Sequence, residues 1–196
     1  RDEMRKESLT AVETAQKAGI QVVMITGDAK DTAQAIAKEV GILETEKGLI
    51  LTSTQLSELS DQGIKDLLPD LRVVARALPT DKSRLVKLAK SMDWVVGMTG
   101  DGVNDAPAVK NADVGFSMGN GTDMTKESSD IVILDNNFNS LTNAVRYGRT
   151  LLKSIRKFLI FQLTVNVAAV LVAFLGPFFG TDLPLTMTQL LWINIV

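Results

Sequence analysis

The feature that most restricts the fold of this chain is a run of 24 residues, 158–181, that contains no charged side chain. About 20 apolar residues in a helix are enough to cross the hydrocarbon core of a bilayer. Lys153, Arg156 and Lys157 come just before the run, and no Lys or Arg follows them. The positive-inside tendency therefore places this end of the run in the cytoplasm. We predict a membrane helix over residues 158–179. A buried helix in a soluble core is the alternative, but such helices rarely continue this long without charge.

The segments on either side of this run extend the membrane prediction. Residues 139–157 place apolar side chains at three- and four-residue intervals, with no proline before Pro177, and are predicted to be a helical stalk. If the stalk continues into the membrane helix, the two form one rod of about 55 Å. Two separate helices are the alternative. Residues 184–196 are again apolar and are predicted to start a second membrane helix.

Short β-branched runs alternate with amphipathic segments over residues 1–138, and this alternation predicts an α/β domain built on a parallel sheet. The predicted strands are residues 20–25, 71–77, 94–98, 113–118 and 130–135. The first predicted helix covers residues 6–18 and is followed by Gly19. The second ends at Gly41, and the third starts after Thr80, its predicted N-cap. Residues 44–63 are polar and are predicted to form a loop with one short helix.

Composition excludes several kinds of chemistry. The chain has no cysteine and no histidine, so thiolate metal sites and the commonest general base are both excluded. Any bound metal should be a hard ion with oxygen ligands. A net charge of −2 argues against nucleic acid as a partner. The chain begins in a charged cluster without Met and ends in an apolar run, and we expect it to be an excerpt of a longer protein.

Two of the predicted strands end in the same three residues, Thr-Gly-Asp, at 26–28 and 99–101. Because parallel strands present their carboxyl ends at one edge of a sheet, we expect both loops to face one crevice. In the second loop, Asp101 and Asp105 lie four positions apart, and Gly100 and Gly102 flank Asp101. Two carboxylates of this kind suit Mg²⁺, which takes its other ligands from water and phosphate. Asp105 can also be interpreted as the N-cap of a helix that contains Pro107.

Further residues around these loops suit a phosphoryl group. The Thr26 hydroxyl and the Gly27 amide can hold phosphoryl oxygens, and Lys82 supplies a point cation. Each feature alone is weak evidence for a phosphate site, and Lys82 taken alone would be interpreted as a solvated surface residue. Their order along the chain, each at a strand–helix junction, favours phosphoryl transfer, which depends mainly on positioning and charge neutralisation.

These motifs together resemble the P-type ATPases, whose phosphorylation domain has a Rossmann-like, haloacid dehalogenase-type α/β fold. The matching segments are MITGD, ARALPTDK, MTGDGVNDAPA, GFSMGNGTDMTKESSD and DNNF. FQLTVNVAAV and LLWINIV resemble the type II cation-transporting branch, and in particular plasma-membrane-type calcium pumps. The resemblance implies ATP and Mg²⁺ as cofactors, a transported cation that is expected to be Ca²⁺, and a multi-pass protein in a lipid bilayer with its phosphorylation domain in the cytoplasm.

The resemblance also implies a role for each site residue. Asp101 and Asp105 would bind Mg²⁺, and Asp105 would also hold Lys82 in place. The transferred phosphoryl group would contact Thr26, Gly27, Lys82 and Asn104. Asp28 and Arg76 would lie nearer the nucleotide.

Two asparagines stand out in the apolar segments. Asn166 lies near the middle of the predicted membrane helix, and Asn194 lies in the following apolar stretch. An amide in a membrane needs a partner, which can be a neighbouring helix or a ligand. The resemblance makes both asparagines ligands of the transported cation. Ala169 stands where two-calcium pumps have a glutamate, which suggests one calcium per cycle. Sodium, protons and manganese are other candidates for the transported cation.

P-type ATPases carry their nucleophilic aspartate in an Asp-Lys-Thr-Gly-Thr motif, and residues 1–196 contain no such motif. The resemblance therefore implies that residues 1–196 alone form no aspartyl phosphate, and that the complete protein couples ATP hydrolysis to transport. Two alternatives are a soluble haloacid dehalogenase-type phosphatase and a non-catalytic, membrane-anchored binding module.

Overall fold

The computed structural model describes residues 6–43, 48–180, 185–186, 188–189 and 192. The chain forms two compact units, Arg1–Asn143 and Ala144–Val196. The first unit contains the strands and most of the helices, and the second consists mainly of one long helix.

Helices and strands alternate through the first unit, as the sequence predicts. The strands are β1 (Met24–Ile25), β2 (Leu49–Thr52), β3 (Leu71–Ala75), β4 (Gly97–Gly100), β5 (Val114–Met118) and β6 (Ile131–Ile133). The helices are α1 (Lys6–Lys17), α2 (Lys30–Glu39), α3 (Ser53–Glu58), α4 (Asp61–Leu67), α5 (Pro79–Lys90), α6 (Ala106–Asn111) and α7 (Asp123–Glu127). An eighth helix, α8 (Phe138–Leu175), begins in the first unit and continues through the second. Short 3-10 turns occupy Leu68–Asp70, Val103–Asp105 and Gly176–Phe179.

All strand pairs are parallel, which confirms the predicted α/β class. In the described part of the chain, the strands form two three-stranded sheets, one in the order β1-β3-β2 and the other in the order β4-β5-β6. Met24 of β1 and Ile50 of β2 both lie opposite Val73 of β3, so β3 is the central strand of the first sheet. Within the described residues, β1, β2, β4 and β6 are each paired along one side only.

Helices cover both faces of the first sheet. Successive side chains of a strand point to opposite faces, and Val73 and Val74, both fully buried, belong to separate clusters. The cluster of Val74 includes Leu56, Ile64, Leu85 and Leu88 from α3, α4 and α5. The cluster of Val73 includes Val12, Ala33 and Ala37 from α1 and α2. A parallel sheet with helices on both faces is the layering of doubly wound α/β domains.

The prediction for residues 44–63 is correct in its short helix, α3, and wrong in its loop. Residues 44–47 lie outside the described part, but β2, α3 and the start of α4 occupy the remainder. The apolar run that forms β2 is extended because it pairs with β3. Thr52 then caps α3 in a capping box, since its hydroxyl accepts from the Gln55 amide at 3.3 Å and its own amide donates to Gln55 Oε1 at 2.9 Å.

The start of α5 also differs from the prediction. Leu78, and not Thr80, stands at the N-cap position. The buried carboxylate of Asp81 accepts a hydrogen bond from the Leu78 amide at 2.8 Å. The predicted ends of the first two helices are confirmed, since Gly19 and Gly41 follow α1 and α2 with φ of 75° and 76°.

The predicted continuity of the stalk and the apolar run is observed. Helix α8 has 38 residues, which corresponds to about 57 Å. It is the one helix among the described residues that is long and apolar enough to cross a membrane, and no residue of its most apolar window is buried. Most of residues 184–196, where a second membrane helix was predicted, lie outside the described part.

Candidate active site

The first Thr-Gly-Asp loop follows β1 and is tied to the segment that leads into α5. The Thr26 amide donates to the Val74 carbonyl, and the Ala77 amide donates to the Thr26 carbonyl, both at 2.9 Å. The Arg76 amide donates to the Asp28 carbonyl at 2.9 Å. Arg76 adopts a left-handed backbone with φ of 52°, which is uncommon for a side chain of this size. The backbones of Thr26, Asp28 and Arg76 are therefore brought together.

The side chains of this first loop bond mainly to each other. The Thr26 hydroxyl donates to Asp28 Oδ2 at 2.8 Å, and the Asp28 amide donates to the same hydroxyl at 3.2 Å. Gly27, Asp28 and Arg76 are exposed, and Thr26 is half-buried. The loop consequently presents polar groups to solvent at the carboxyl end of β1.

Helix α5 places Lys82 one turn after this segment and is anchored at two points. Asp81 caps its first turn, as described above. The guanidinium of Arg84 donates to Asp61 at 2.7 Å and to the carbonyls of Leu56 and Leu59 at 3.0 Å. Lys82 lies between these two anchors, so its backbone position is fixed by its neighbours in the helix.

Lys82 forms an ion pair with Asp105 of the second loop, with 2.5 Å between Nζ and Oδ1. The Lys82 side chain is 19% exposed and the Asp105 side chain is 9% exposed, so the pair is largely shielded from water. Shielded pairs of this kind are screened little by salt. The residues are 23 positions apart in sequence, and the contact joins α5, which comes after the Arg76 segment bonded to the first loop, to the second loop.

The other oxygen of Asp105 holds the turn of the second loop. The amides of Asp101 and Gly102 both lie 3.4 Å from Asp105 Oδ2. Asp105 does occupy the N-cap position of α6, but its side chain makes no capping bond to that helix. Its contacts therefore favour a role in shaping the turn and holding Lys82 over a simple capping role.

Asp101 is the carboxylate of this loop that remains available to a ligand. It is exposed, and no described residue donates a hydrogen bond to its side chain. Asp105 keeps part of its accepting capacity, because each carboxylate oxygen has two lone pairs. The described residues contain no group of three or more acidic, histidine or cysteine side chains placed to hold a metal. Two carboxylates with room for water and phosphate fit Mg²⁺ better than Ca²⁺, which takes six to eight oxygens.

The start of β4, which carries the second loop, is clamped by Asp113. Its carboxylate accepts from the Val96 amide at 2.9 Å and pairs with Lys90 of α5 at 3.0 Å. The hydrogen bond from the Val96 amide, followed by the contact with Lys90, lowers the pKa of Asp113 below its ordinary value of 3.8.

Some predicted site residues are not brought into contact. Among the described residues, no hydrogen bond joins Thr26 to Lys82 or to Asp101. Asn104 is exposed in the 3-10 turn after Gly102. In the second unit, Asn166 is exposed on α8, and Asn194 lies outside the described residues.

Sequence reasoning gave no role to Thr122 and Thr125, which contact the second loop directly. Thr122 caps α7, and its amide donates to the Asp101 carbonyl at 2.9 Å. The Thr125 hydroxyl donates to the Gly102 carbonyl at 2.8 Å. A Thr that follows Gly121 and precedes an acidic first turn is a signal for an N-cap. This signal could have identified Thr122, but it does not predict the long-range contact of Thr125.

The chain belongs to the haloacid dehalogenase-like hydrolase family. One model of that description matches residues 1–113, and a second matches residues 84–145. The two Thr-Gly-Asp loops and Lys82 lie within the first match.

The predicted resemblance to P-type ATPases is also confirmed. The chain is 48% identical to calcium-transporting ATPase 3, plasma membrane-type, of Oryza sativa subsp. japonica, over 100% of this chain and 19% of that protein. It is 49% identical to probable calcium-transporting ATPase 6, plasma membrane-type, of the same organism, over 93% of this chain and 18% of that protein. The chain thus spans about a fifth of the length of these curated relatives.

A solved structure gives the same result for the fold. A zinc-transporting PIB-type ATPase in its E2·Pi state superposes with a TM-score of 0.72 and 27% sequence identity. The match covers 100% of this chain and 26% of that structure's chain.

Proposed function

We propose that this chain is part of an ATP-driven calcium pump, and that it contributes the carboxyl-terminal part of the phosphorylation domain, the stalk and a membrane helix. The identity with plasma membrane-type calcium-transporting ATPases supports the calcium assignment. The complete pump would be a multi-pass membrane protein, and its phosphorylation domain would lie in the cytoplasm.

The observation that carries this proposal is the Lys82–Asp105 ion pair. It joins α5 to the second loop and shields a lysine ammonium against the loop that also carries the exposed carboxylate of Asp101. A fixed cation next to a carboxylate that can bind a metal is the arrangement that phosphoryl transfer requires, because the main task is to neutralise charge on the transferred group.

The residues divide this task between them. Lys82, held by Asp105, would contact a phosphoryl oxygen, while Thr26, Gly27 and Asn104 would donate further hydrogen bonds. Asp101 would bind Mg²⁺ together with Asp105, and the ion would neutralise charge on the phosphoryl oxygens. The nucleophilic aspartate is not in residues 1–196, and Asp28 and Arg76 would lie toward the nucleotide.

The transported cation would bind in the membrane segment. Asn166 is the polar candidate on α8, and its side-chain oxygen suits Ca²⁺. Asn194 would be a second ligand. Because α8 runs unbroken from the first unit into the apolar segment, it offers a single helical element between the two functions.

The test uses membranes from cells that express the product of the complete gene. We expect Ca²⁺-dependent transfer of labelled phosphate from ATP to the protein, and loss of this label in Asp101→Ala because the metal site is lost. Label at the wild-type level in Asp101→Ala would remove Asp101 from the site, and label that does not depend on calcium would contradict the calcium assignment.

A second variant separates transport from phosphorylation. In Asn166→Ala we expect phosphorylation from inorganic phosphate to be retained, since the phosphorylation site is unchanged, while activation by Ca²⁺ requires higher concentrations. The soluble phosphatase alternative predicts instead a hydrolysis of small phosphate esters that neither calcium nor Asn166→Ala affects. The exposed apolar window of α8 argues against that alternative.

A further inference from the structure

The Thr125 side chain is fully buried at 0% exposure, although it is polar. Its hydroxyl lies 2.8 Å from the Gly102 carbonyl and 2.8 Å from the Thr122 hydroxyl. A buried hydroxyl costs free energy unless its hydrogen bonds are made, and here both are made. The geometry fixes their direction, because a carbonyl can only accept. Thr125 therefore donates to Gly102, and Thr122 donates to Thr125.

These contacts complete the hydrogen bonding of the turn that carries Asp101. The carbonyl of Asp101 accepts from the Thr122 amide at 2.9 Å, and the carbonyl of Gly102 accepts from Thr125. The amides of both turn residues face Asp105 Oδ2. The Gly102 carbonyl also accepts from the Asp105 amide at 2.9 Å. Asp105 therefore holds the two amides of the turn and shares the Gly102 carbonyl with Thr125 of α7, while the Thr122 amide holds the Asp101 carbonyl.

The approach of the α7 segment to this turn is close. A Cβ on Gly121 would lie 3.2 Å from the Asp101 carbonyl oxygen and 2.9 Å from that of Met118. A side chain at this position would push the segment away from the turn. The α7 segment is therefore packed directly against the backbone of Asp101.

We infer that Thr125 is a positioning residue for the metal site, acting through the Gly102 carbonyl to fix the backbone that presents the Asp101 carboxylate. This inference rests on the proposed function only in taking Asp101 as the metal ligand. Thr125 itself touches neither metal nor phosphate. Its hydroxyl, rather than its volume, is the group that matters.

The test measures Mn²⁺ binding to the 196-residue chain in detergent by electron paramagnetic resonance, with Mn²⁺ as the probe for the Mg²⁺ site. Thr125→Val keeps the shape and removes the hydroxyl, and Thr125→Ser keeps the hydroxyl. We expect Thr125→Val to weaken Mn²⁺ binding about two- to tenfold, the equivalent of one hydrogen bond, and Thr125→Ser to bind like the wild type. Circular dichroism checks that each variant is folded, and Thr125→Ala replaces Thr125→Val if the latter is not.

The Asp101→Ala variant separates failure of the proposed metal site from failure of the positioning role of Thr125. If wild type and Asp101→Ala bind Mn²⁺ equally, the proposed metal site is wrong. If Asp101→Ala loses binding but Thr125→Val binds like wild type, the site stands and the role of Thr125 is overturned. Equal weakening in Thr125→Val and Thr125→Ser would also overturn it, because the hydroxyl would then not be the active group. Failure of both Thr125→Val and Thr125→Ala to fold would overturn it as well, since Thr125 would then support the whole fold.

Discussion

The two Thr-Gly-Asp loops share three residues and a place at the end of a parallel strand, yet the structure holds them differently. The loop at 26–28 follows a two-residue strand and bonds chiefly to its own side chains and to the segment before α5. In the loop at 99–101, the turn is held from two sides, by Asp105 and by the start of α7. The same three letters therefore produce an open loop in one place and a fixed one in the other.

This difference depends on the residues that follow each loop. After Asp101, the chain returns within four residues to supply Asp105, whose carboxylate is buried against Lys82. After Asp28, α2 begins at Lys30, and no described residue forms an equivalent buried ion pair with the first loop. We expect substitutions at the second loop to cost more stability than matched substitutions at the first, and the following predictions test this.

The largest effect is expected for Lys82→Met. This change leaves the Asp105 carboxylate shielded from water without its cation, and breaking a buried pair on one side costs about 3 kcal/mol. Urea denaturation, followed through the fluorescence of Trp94, which packs against the core, measures the loss. Lys87→Met is the control, because Lys87 is exposed on the same helix. If both variants lose equal stability, the ion pair does not fix the second loop.

A smaller effect, and a direct comparison of the loops, is expected for Gly100→Ala against Gly27→Ala. A Cβ on Gly100 would lie 2.5 Å from the Asp105 Cβ and 3.0 Å from Val109 Cγ2, whereas one on Gly27 meets nothing within 4 Å. We expect Gly100→Ala to lose about 2 kcal/mol through overpacking and Gly27→Ala to stay within about 0.5 kcal/mol of wild type. The same urea titration compares them, and equal losses would mean that the two loops are held alike.

The smallest effect concerns pH and the clamp at the start of β4. Because the folded-state pKa of Asp113 is lowered, its contribution to stability is complete above the ordinary value of 3.8 and is lost as pH falls through the lowered folded value. Asp113→Asn should therefore be less stable than wild type near neutral pH, with the difference shrinking on acidification. Thermal unfolding at several pH values measures it, and a difference that grew in acid would contradict the assigned contacts.

The sequence was sufficient to predict the α/β class, most strands and the continuity of α8, since these follow from periodicity and charge. It did not predict β2, because its apolar run is short and becomes a strand only by pairing with β3. The sequence pattern favours Thr80 as the N-cap of α5, but Leu78 occupies that position and donates its amide to the buried Asp81 carboxylate. The contact between Thr125 and Gly102 spans 23 residues and leaves no periodic signal, so it could not be predicted from a single sequence.

The one-sided pairing of β1, β2, β4 and β6 has a practical consequence for anyone who purifies this polypeptide. Each presents a row of backbone amides and carbonyls that lack a neighbouring strand within the described residues, and such rows recruit extended peptide from other molecules. Concentrated samples of the 196-residue chain should therefore associate through these edges. Short extended peptides added in excess should compete with that association and keep the preparation dispersed.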